Sequence, residues 1–123
     1  CMDTGLKAMK PGVRSSVVQS AMQEVVSMAG LEMYPHGHGI GLEVRDYPIL
    51  APDNGLRIKD DCVDEPSDLL LECDMVLNIE APLFMAGAGS LHLEQSVVIT
   101  PDGYRPLTPQ QRDKPVMIRT LGI

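Results

Sequence analysis

The chain has 123 residues, of which 44% are hydrophobic and 22% are charged, and its formal net charge is −7. This length allows one hydrophobic core and is too short for two, and the composition is ordinary for a globular domain. The acidic balance argues against nucleic acid or an anionic membrane surface as the main partner. No apolar run reaches the length that a membrane span needs. We therefore expect a globular protein that binds neither nucleic acid nor membrane.

The three cysteines, Cys1, Cys62 and Cys73, lack the spacing of a zinc finger or a redox pair. An odd number of cysteines without a secretory leader is typical of a reducing compartment, so we expect a cytoplasmic protein. The first residue is a cysteine and not an initiator methionine. We interpret this start either as the result of removing a preceding segment or as that of a piece of a longer protein.

The beginning of the chain predicts two helices. Residues 3–9 have the pattern of the end of a helix, closed by a Pro-Gly pair at 11–12 that breaks the helix and permits a turn. Ser15 is then expected to be the N-cap of a second helix. Apolar residues recur at helical spacing from Ser16 to Ala29, and Gly30 supplies the stop. This second helix should pack its apolar face on the rest of the domain.

The middle of the chain predicts little regular structure. Residues 31–34 favour a short strand, whereas 35–41 contain too many glycines for regular structure. Residues 46–67 contain three prolines and a run of acids, which predicts a surface loop with one strand over 56–59.

The last third predicts a sheet. A buried strand is expected over 75–80, ending at Pro82, and a glycine-rich turn leads to a second strand over 91–100. An Asp-Gly pair at 102–103 then predicts a tight hairpin turn into 104–107. Residues 109–123 are expected to form an irregular tail.

Three segments place a side chain that can bind a metal where packing alone would not require one. His38 lies between glycines, which leave room for the ring and allow unusual backbone angles. Glu80 ends an otherwise apolar strand, and Glu94 lies on the later strand. Alternation on that strand puts Leu91, Leu93, Val97 and Ile99 on one face, and His92, Glu94 and Ser96 on the other.

Each of these residues has an ordinary alternative explanation. A glutamate at a strand end is usually solvated, a histidine between glycines is often a turn residue, and His92 and Glu94 could line the wet face of a sheet.

The motifs that contain these residues resemble one known family. They are GHGIGLEV at 37–44, MVLNIEAP at 75–82 and LHLEQSVVITPDG at 91–103, preceded by KPGVRSSV at 10–17. In order and spacing they are similar to the histidine motif, the MV-x-x-IEP strand, the closing R-I-E-D-x-V-x-V-T-x-D-G hairpin and the helix entry of the pita-bread metallohydrolases. That family includes methionine aminopeptidases, Xaa-Pro peptidases and creatinase.

The resemblance implies an α+β fold. The chain would be the second αβ repeat of the pita-bread fold, with a curved antiparallel sheet backed by helices. Residues 1–123 would form the C-terminal half of a catalytic domain, with 5 to about 108 matching the family. The missing N-terminal half of the same protein would then be a partner of this chain, and we also expect a homo-oligomer.

The resemblance also implies a metal site. The family holds two divalent ions (Mn, Co, Fe or Zn) with two Asp, one His and two Glu, and His38, Glu80 and Glu94 lie at the His and Glu positions. The two Asp are expected upstream of this sequence. The parent would be a Xaa-Pro peptidase-like hydrolase in which a metal-bridging water attacks the carbonyl of a peptide or small amide.

Other residues have candidate catalytic roles within this resemblance. Glu80 would also handle the proton of the attacking water. His36 and His92 are candidates for contacts with the substrate or with the ligands. Because two ligands are missing, the isolated chain is expected to be inactive.

The chain departs from the family pattern in three places. Arg45 stands where the peptidases have a second histidine, Ala81-Pro82 replaces Pro-Gly, and Gln95 replaces the aspartate after the last ligand. Arg45 could stabilise an oxyanion or bind a substrate carboxylate, or it could only form a surface ion pair with Asp46 or Glu43.

Two alternatives to a peptidase follow from these departures. One is a non-peptidase of the same fold, such as a creatinase-like hydrolase or a lyase, because a fold does not fix a function. The other is a non-catalytic pita-bread domain used for binding.

Overall fold

The fold is that of a computed structural model, which describes residues 1–108; the tail expected over 109–123 lies outside the described residues. The described part contains two helices and seven strands, which confirms the α+β class. The helices are α1 (Met2–Ala8) and α2 (Ser15–Met28). The strands are β1 (His36–Gly39), β2 (Asp46–Leu50), β3 (Arg57–Asp60), β4 (Val63–Pro66), β5 (Val76–Met85), β6 (Gly89–Thr100) and β7 (Gly103–Pro106).

Five strands form one sheet in the order β2-β1-β5-β6-β7, and every neighbouring pair in it is antiparallel. Strands β3 and β4 form a separate hairpin. The helices cover one face of the large sheet, where the core contains buried apolar side chains from both layers. Its members are Leu6, Met9, Val18, Met22, Leu50, Leu71, Leu77, Ile79, Val97 and Ile99.

Alternation along the strands decides what lies on the opposite face. Because Leu77 and Ile79 point towards the helices, Asn78 and Glu80 must point away from them. Asn78 and Glu80 of β5, with their partners Ser96 and Glu94 of β6, therefore share the face that the helices leave open.

The glycine-rich segment was wrongly predicted to be irregular, since it forms β1 between β2 and β5. A Cβ atom on Gly37 would meet the carbonyl oxygen of Asn78, and one on Gly39 would meet that of Tyr47. Neither glycine has a positive φ. These glycines are needed because neighbouring backbones approach closely, and not because the chain adopts unusual angles.

The strand expected over 31–34 is absent from the described structure, where these residues have no regular form, and the predicted loop over 46–67 contains β2, β3 and β4. Pro48 does not prevent β2 from forming, because β2 is an edge strand and an edge tolerates proline.

Strand β5 does not end at Pro82 but continues to Met85. Its pairing with β1 ends at Glu80, whereas its pairing with β6 continues to Met85. Pro82 thus lies where β5 has become an edge on one side, and its missing N–H breaks no ladder there.

Ser15 is the first residue of α2, and its side chain does not cap the helix, contrary to prediction. The hydroxyl of Ser15 donates to Oδ1 of Asp68 over 2.9 Å, and the backbone N–H of Ser16 donates to the same oxygen over 2.8 Å. The hydroxyl of Ser16 donates to Oδ2 over 2.8 Å. A carboxylate from a distant loop therefore performs the capping role.

Within residues 1–108, neither helix is long and apolar enough to cross a membrane.

Candidate metal centre

Three adjacent strands build a polar site on the open face of the sheet. In the register, His36 lies opposite Glu80 on β5, and Glu80 lies opposite Glu94 on β6. Antiparallel partners project to the same face, so these side chains form one row across the sheet. The neighbouring row contains His38, Asn78 and Ser96.

Glu80 is the centre of this site, with only 4% of its surface exposed. Its Oε1 lies 2.9 Å from Nε2 of His38, and its Oε2 lies 3.2 Å from Nε2 of His36. On the other side, Nε2 of His92 lies 3.0 Å from the same Oε2. Three imidazoles therefore converge on one carboxylate.

The tautomers of His36 and His38 are fixed by the backbone. Nδ1 of His38 lies 2.7 Å from the carbonyl oxygen of Gly39, and Nδ1 of His36 lies 3.1 Å from that of Tyr34. A carbonyl oxygen can only accept, so Nδ1 carries the proton in both rings. A neutral ring then directs the lone pair of Nε2 at an oxygen of Glu80.

Two lone pairs at such a distance repel unless a cation lies between them. That cation is either a second proton on the ring or a metal ion, and ring orientation by a backbone carbonyl is the usual arrangement of a metal-binding histidine. Carboxylates combined with imidazole suit Mn, Fe, Co and Zn. The residues present therefore fit a divalent metal ion.

His92 joins the two glutamates on the β6 side. Glu80, His92 and Glu94 each contribute one oxygen or nitrogen atom to a group in which all three atoms lie within 4.8 Å of one another. Nδ1 of His92 lies 3.6 Å from Oε1 of Glu94. Within residues 1–108, this compact group contains His92 and not the predicted ligand His38, which contacts Glu80 from the β1 side.

Asn78 is a site residue that the sequence analysis did not single out. Its Nδ2 donates to Oε2 of Glu94 over 3.0 Å and lies 3.5 Å from Oε1 of Glu80, while its Oδ1 accepts from the hydroxyl of Ser96 over 3.1 Å. The side chain is buried and links the two carboxylates. The alternation of β5 could have revealed it, because Asn78 lies two residues before Glu80.

The surroundings of Glu80 favour its ionised form. Burial raises the pKa of this carboxyl, but electrostatic interactions with His36 and His38, the hydrogen bond from His92 and the charge of Arg45 together outweigh it and leave the pKa below its usual value. Glu80 is therefore a carboxylate at neutral pH and available to a cation.

The sequence profile of metallopeptidase family M24 matches residues 1–101, most of the chain. The chain belongs to metallopeptidase family M24. It is 30% identical over 115 residues to a Xaa-Pro dipeptidase of Lactobacillus delbrueckii subsp. lactis, a match that covers 91% of this chain and 28% of that protein. A Xaa-Pro dipeptidase of Lactobacillus helveticus is 30% identical over 111 residues, covering 88% of this chain and 27% of that protein.

Solved structures agree with this assignment. A dipeptidase from Pyrococcus horikoshii OT3 superposes with a TM-score of 0.72 at 28% identity, covering 90% of this chain and 28% of that chain. The prolidase from Pyrococcus furiosus gives a TM-score of 0.71 at 26% identity, covering 89% and 30%. The predicted family and the pita-bread fold are confirmed, and the M24 chain spans less than a third of these relatives.

Among the departures from the family pattern, Ala81 and Gln95 lie away from the site in this M24 domain, whereas Pro82 lies opposite His92 on the face that carries the site. Ala81 and Gln95 are buried on the face that the helices cover, and Nε2 of Gln95 donates to the carbonyl of Ser96 over 3.0 Å. Arg45 differs, since its Nη2 lies 3.4 Å from Nε2 of His36. Arg45 is therefore the departure that adds a charged group to the site.

The site of the M24 domain contains every residue that the sequence analysis selected. His36, His38 and His92 contact Glu80 directly, Glu94 reaches it through Asn78, and Arg45 joins through His36. Their roles as ligands or catalytic groups stay predictions.

Proposed function

We propose that this chain is the C-terminal part of the catalytic domain of a Xaa-Pro peptidase-like hydrolase that uses two divalent metal ions. His38, Glu80 and Glu94 are the proposed ligands from this chain, and His92 is a further donor within reach. The remaining ligands would come from a preceding half of the same protein. Bound there, the metal ions would supply an activated water and a Lewis acid for the attacked carbonyl.

One observation carries the proposal. The Nε2 atoms of His36 and His38 both face Glu80, at 3.2 and 2.9 Å, while both Nδ1 atoms are committed to backbone carbonyls. Such a site is built to hold a cation beside a buried carboxylate.

The residues of the chain have distinct parts in this proposal. Glu80 stays ionised, so it can hold the proton that the attacking water releases, at Oε1 or Oε2. His92, with its Nε2 at 3.0 Å from Oε2, lies where it can share that proton. Asn78 orients both glutamates, which limits the loss of entropy on binding.

The substrate class comes from the relatives. Two of the matched proteins are named Xaa-Pro dipeptidase, and we propose an amide bond preceding proline, in a dipeptide, as the bond that is cleaved. On its own the 123-residue chain would hydrolyse nothing, because part of the ligand set would be absent.

The test uses the full-length protein, stripped of metal with a chelator and then supplied with Mn²⁺, Co²⁺ or Zn²⁺. Hydrolysis of Xaa-Pro dipeptides should depend on the added metal, and Glu80→Gln should lower kcat by at least about a hundredfold. Glu65→Gln is the matched control, since Glu65 is exposed on the β3–β4 hairpin. Hydrolysis that persists without metal, or an active Glu80→Gln protein, would contradict the proposal.

Arg45 is the observation that favours a second candidate, a hydrolase of small non-peptide amides. It brings a permanent positive charge to a position beside His36. Metal-dependent turnover of small non-peptide amides, with no turnover of dipeptides, would establish that alternative.

A further inference from the structure

We infer that Arg45 binds the free C-terminal carboxylate of the substrate and so restricts the enzyme to dipeptides. This inference rests on the proposed function, whose substrate class it specifies. It concerns this chain's own residue at the rim of the site.

The guanidinium of Arg45 has unused donors. Its Nη2 lies 3.4 Å from Nε2 of His36, and within residues 1–108 it forms no ion pair with the neighbouring acids Glu43 and Asp46. Asp46 is turned into its own loop, where its Oδ2 accepts the backbone N–H of Glu43 over 3.0 Å. The surface ion pair suggested by the sequence is therefore absent from the described structure.

The position of the guanidinium is held by a fixed partner. His36 is anchored through Nδ1 to the carbonyl of Tyr34, and its ring stacks on that of Tyr34 with centroids 6.2 Å apart. Nε2 of the same ring faces both Nη2 of Arg45 and Oε2 of Glu80. Because both atoms contact the same nitrogen, an anion on Arg45 would lie directly beside Glu80, at the edge of the proposed reaction centre.

The chemistry of the group selects a carboxylate. Arginine is always protonated, and its planar fork donates two parallel hydrogen bonds to a carboxylate. Because the chain has a net charge of −7, Arg45 is one of its few positively charged groups that an anionic ligand could bind. A blocked or extended C-terminus would offer neither the charge nor the paired acceptors.

The experiment compares a dipeptide with its C-terminal amide, using the full-length protein and the variants Arg45→Gln and Arg45→Lys. Both ligands are measured by steady-state kinetics and by calorimetric binding to the Glu80→Gln protein, in which turnover is blocked. The wild type should prefer the acid over the amide by about ten- to hundredfold. Arg45→Gln should raise KM for the acid by that factor, leave kcat within about threefold and remove the preference. Arg45→Lys should keep part of the preference for the acid over the amide.

Arg57→Gln is the matched control, because Arg57 pairs with Asp64 on a separate hairpin at 2.6 Å. It should change neither ligand's KM. Thermal unfolding checks that each variant is folded.

The outcomes separate this inference from the proposed function. The inference is overturned if the active enzyme has the same KM for the acid and the amide. It is also overturned if Arg45→Gln lowers kcat equally for both. Either result leaves the peptidase proposal standing. An inactive wild type overturns the peptidase proposal, and the calorimetric preference then still decides the role of Arg45. Equal binding of acid and amide in that case overturns the inference as well.

Discussion

Asp68 accepts two hydrogen bonds from Ser16, one from the backbone N–H and one from the hydroxyl, each 2.8 Å long. This contact fastens the loop before β5 to the first turn of α2. Arg14 adds a bond from Nη1 to the carbonyl oxygen of Asp68 at 2.7 Å. Because β5 carries Glu80, the same contact helps to position the site.

Replacing Asp68 by alanine should lower the free energy of unfolding by about 2 kcal/mol. The substitution leaves the N–H of Ser16 without its acceptor and removes a carboxylate from the positive end of the helix dipole. Urea unfolding measures the change. The exposed Asp61→Ala is the control and should stay within about 0.5 kcal/mol of the wild type; equal effects from the two substitutions would show that the cap contributes nothing.

Stability should also depend on pH through Asp68. Burial raises the pKa of this carboxyl, but the hydrogen bonds from Ser16 and Ser15 and the charge of Arg14 outweigh it and leave the pKa below its usual value. A lowered folded-state pKa means that the contribution is complete above the unfolded pKa of about 3.9 and is lost as pH falls through the folded value.

The difference in unfolding free energy between the wild type and Asp68→Asn should therefore be constant from about pH 5 to pH 8 and shrink below about pH 4. Urea titrations at several pH values measure it. A difference that persists unchanged at about pH 2 would contradict this account.

Gly37→Ala should disturb the site through β1. A Cβ atom there would meet the carbonyl oxygen of Asn78 and the side chain of Leu50, so β1 must move and carry His36 and His38 away from Glu80. We expect a fall in Tm and a metal affinity lower by at least about tenfold. Gly87→Ala is the control, because the turn at Gly87 has open space and costs only the strain of its positive φ, about 1 kcal/mol. If Gly87→Ala lowered the metal affinity more than Gly37→Ala, the close approach of β5 to Gly37 could not be the cause.

Asn78→Ala should weaken metal binding by about ten- to a hundredfold, because the amide links Glu94 to Glu80 and fixes both carboxylates. Calorimetric titration with Mn²⁺ measures the affinity. Ser96→Ala, which removes only the hydroxyl that donates to Asn78, should have a smaller effect. An unchanged affinity in Asn78→Ala would mean that the glutamates are oriented without it.

The sequence predicted the site better than the strands that carry it. His38, Glu80 and Glu94 each lie in a short motif, and the alternation of a strand is a local property, so their common face could be anticipated. The capping role of Asp68 could not be predicted, because its partner Ser16 lies 52 residues away. No local sequence pattern indicates such a long-range pair. Strand β1 was missed for a related reason, since Gly37 looks like a loop residue until the neighbouring backbone is known.

The central claim, that His38, Glu80 and Glu94 hold divalent metal, is tested most directly by the metal content of the full-length protein after dialysis against Mn²⁺ or Zn²⁺, measured by inductively coupled plasma mass spectrometry. The wild type and Glu65→Gln should retain two ions per chain, whereas Glu80→Gln, Glu94→Gln and His38→Ala should each retain fewer, because each loses a ligand. Metal retained by Glu80→Gln at the wild-type level, or a wild type that retains none, would contradict the claim.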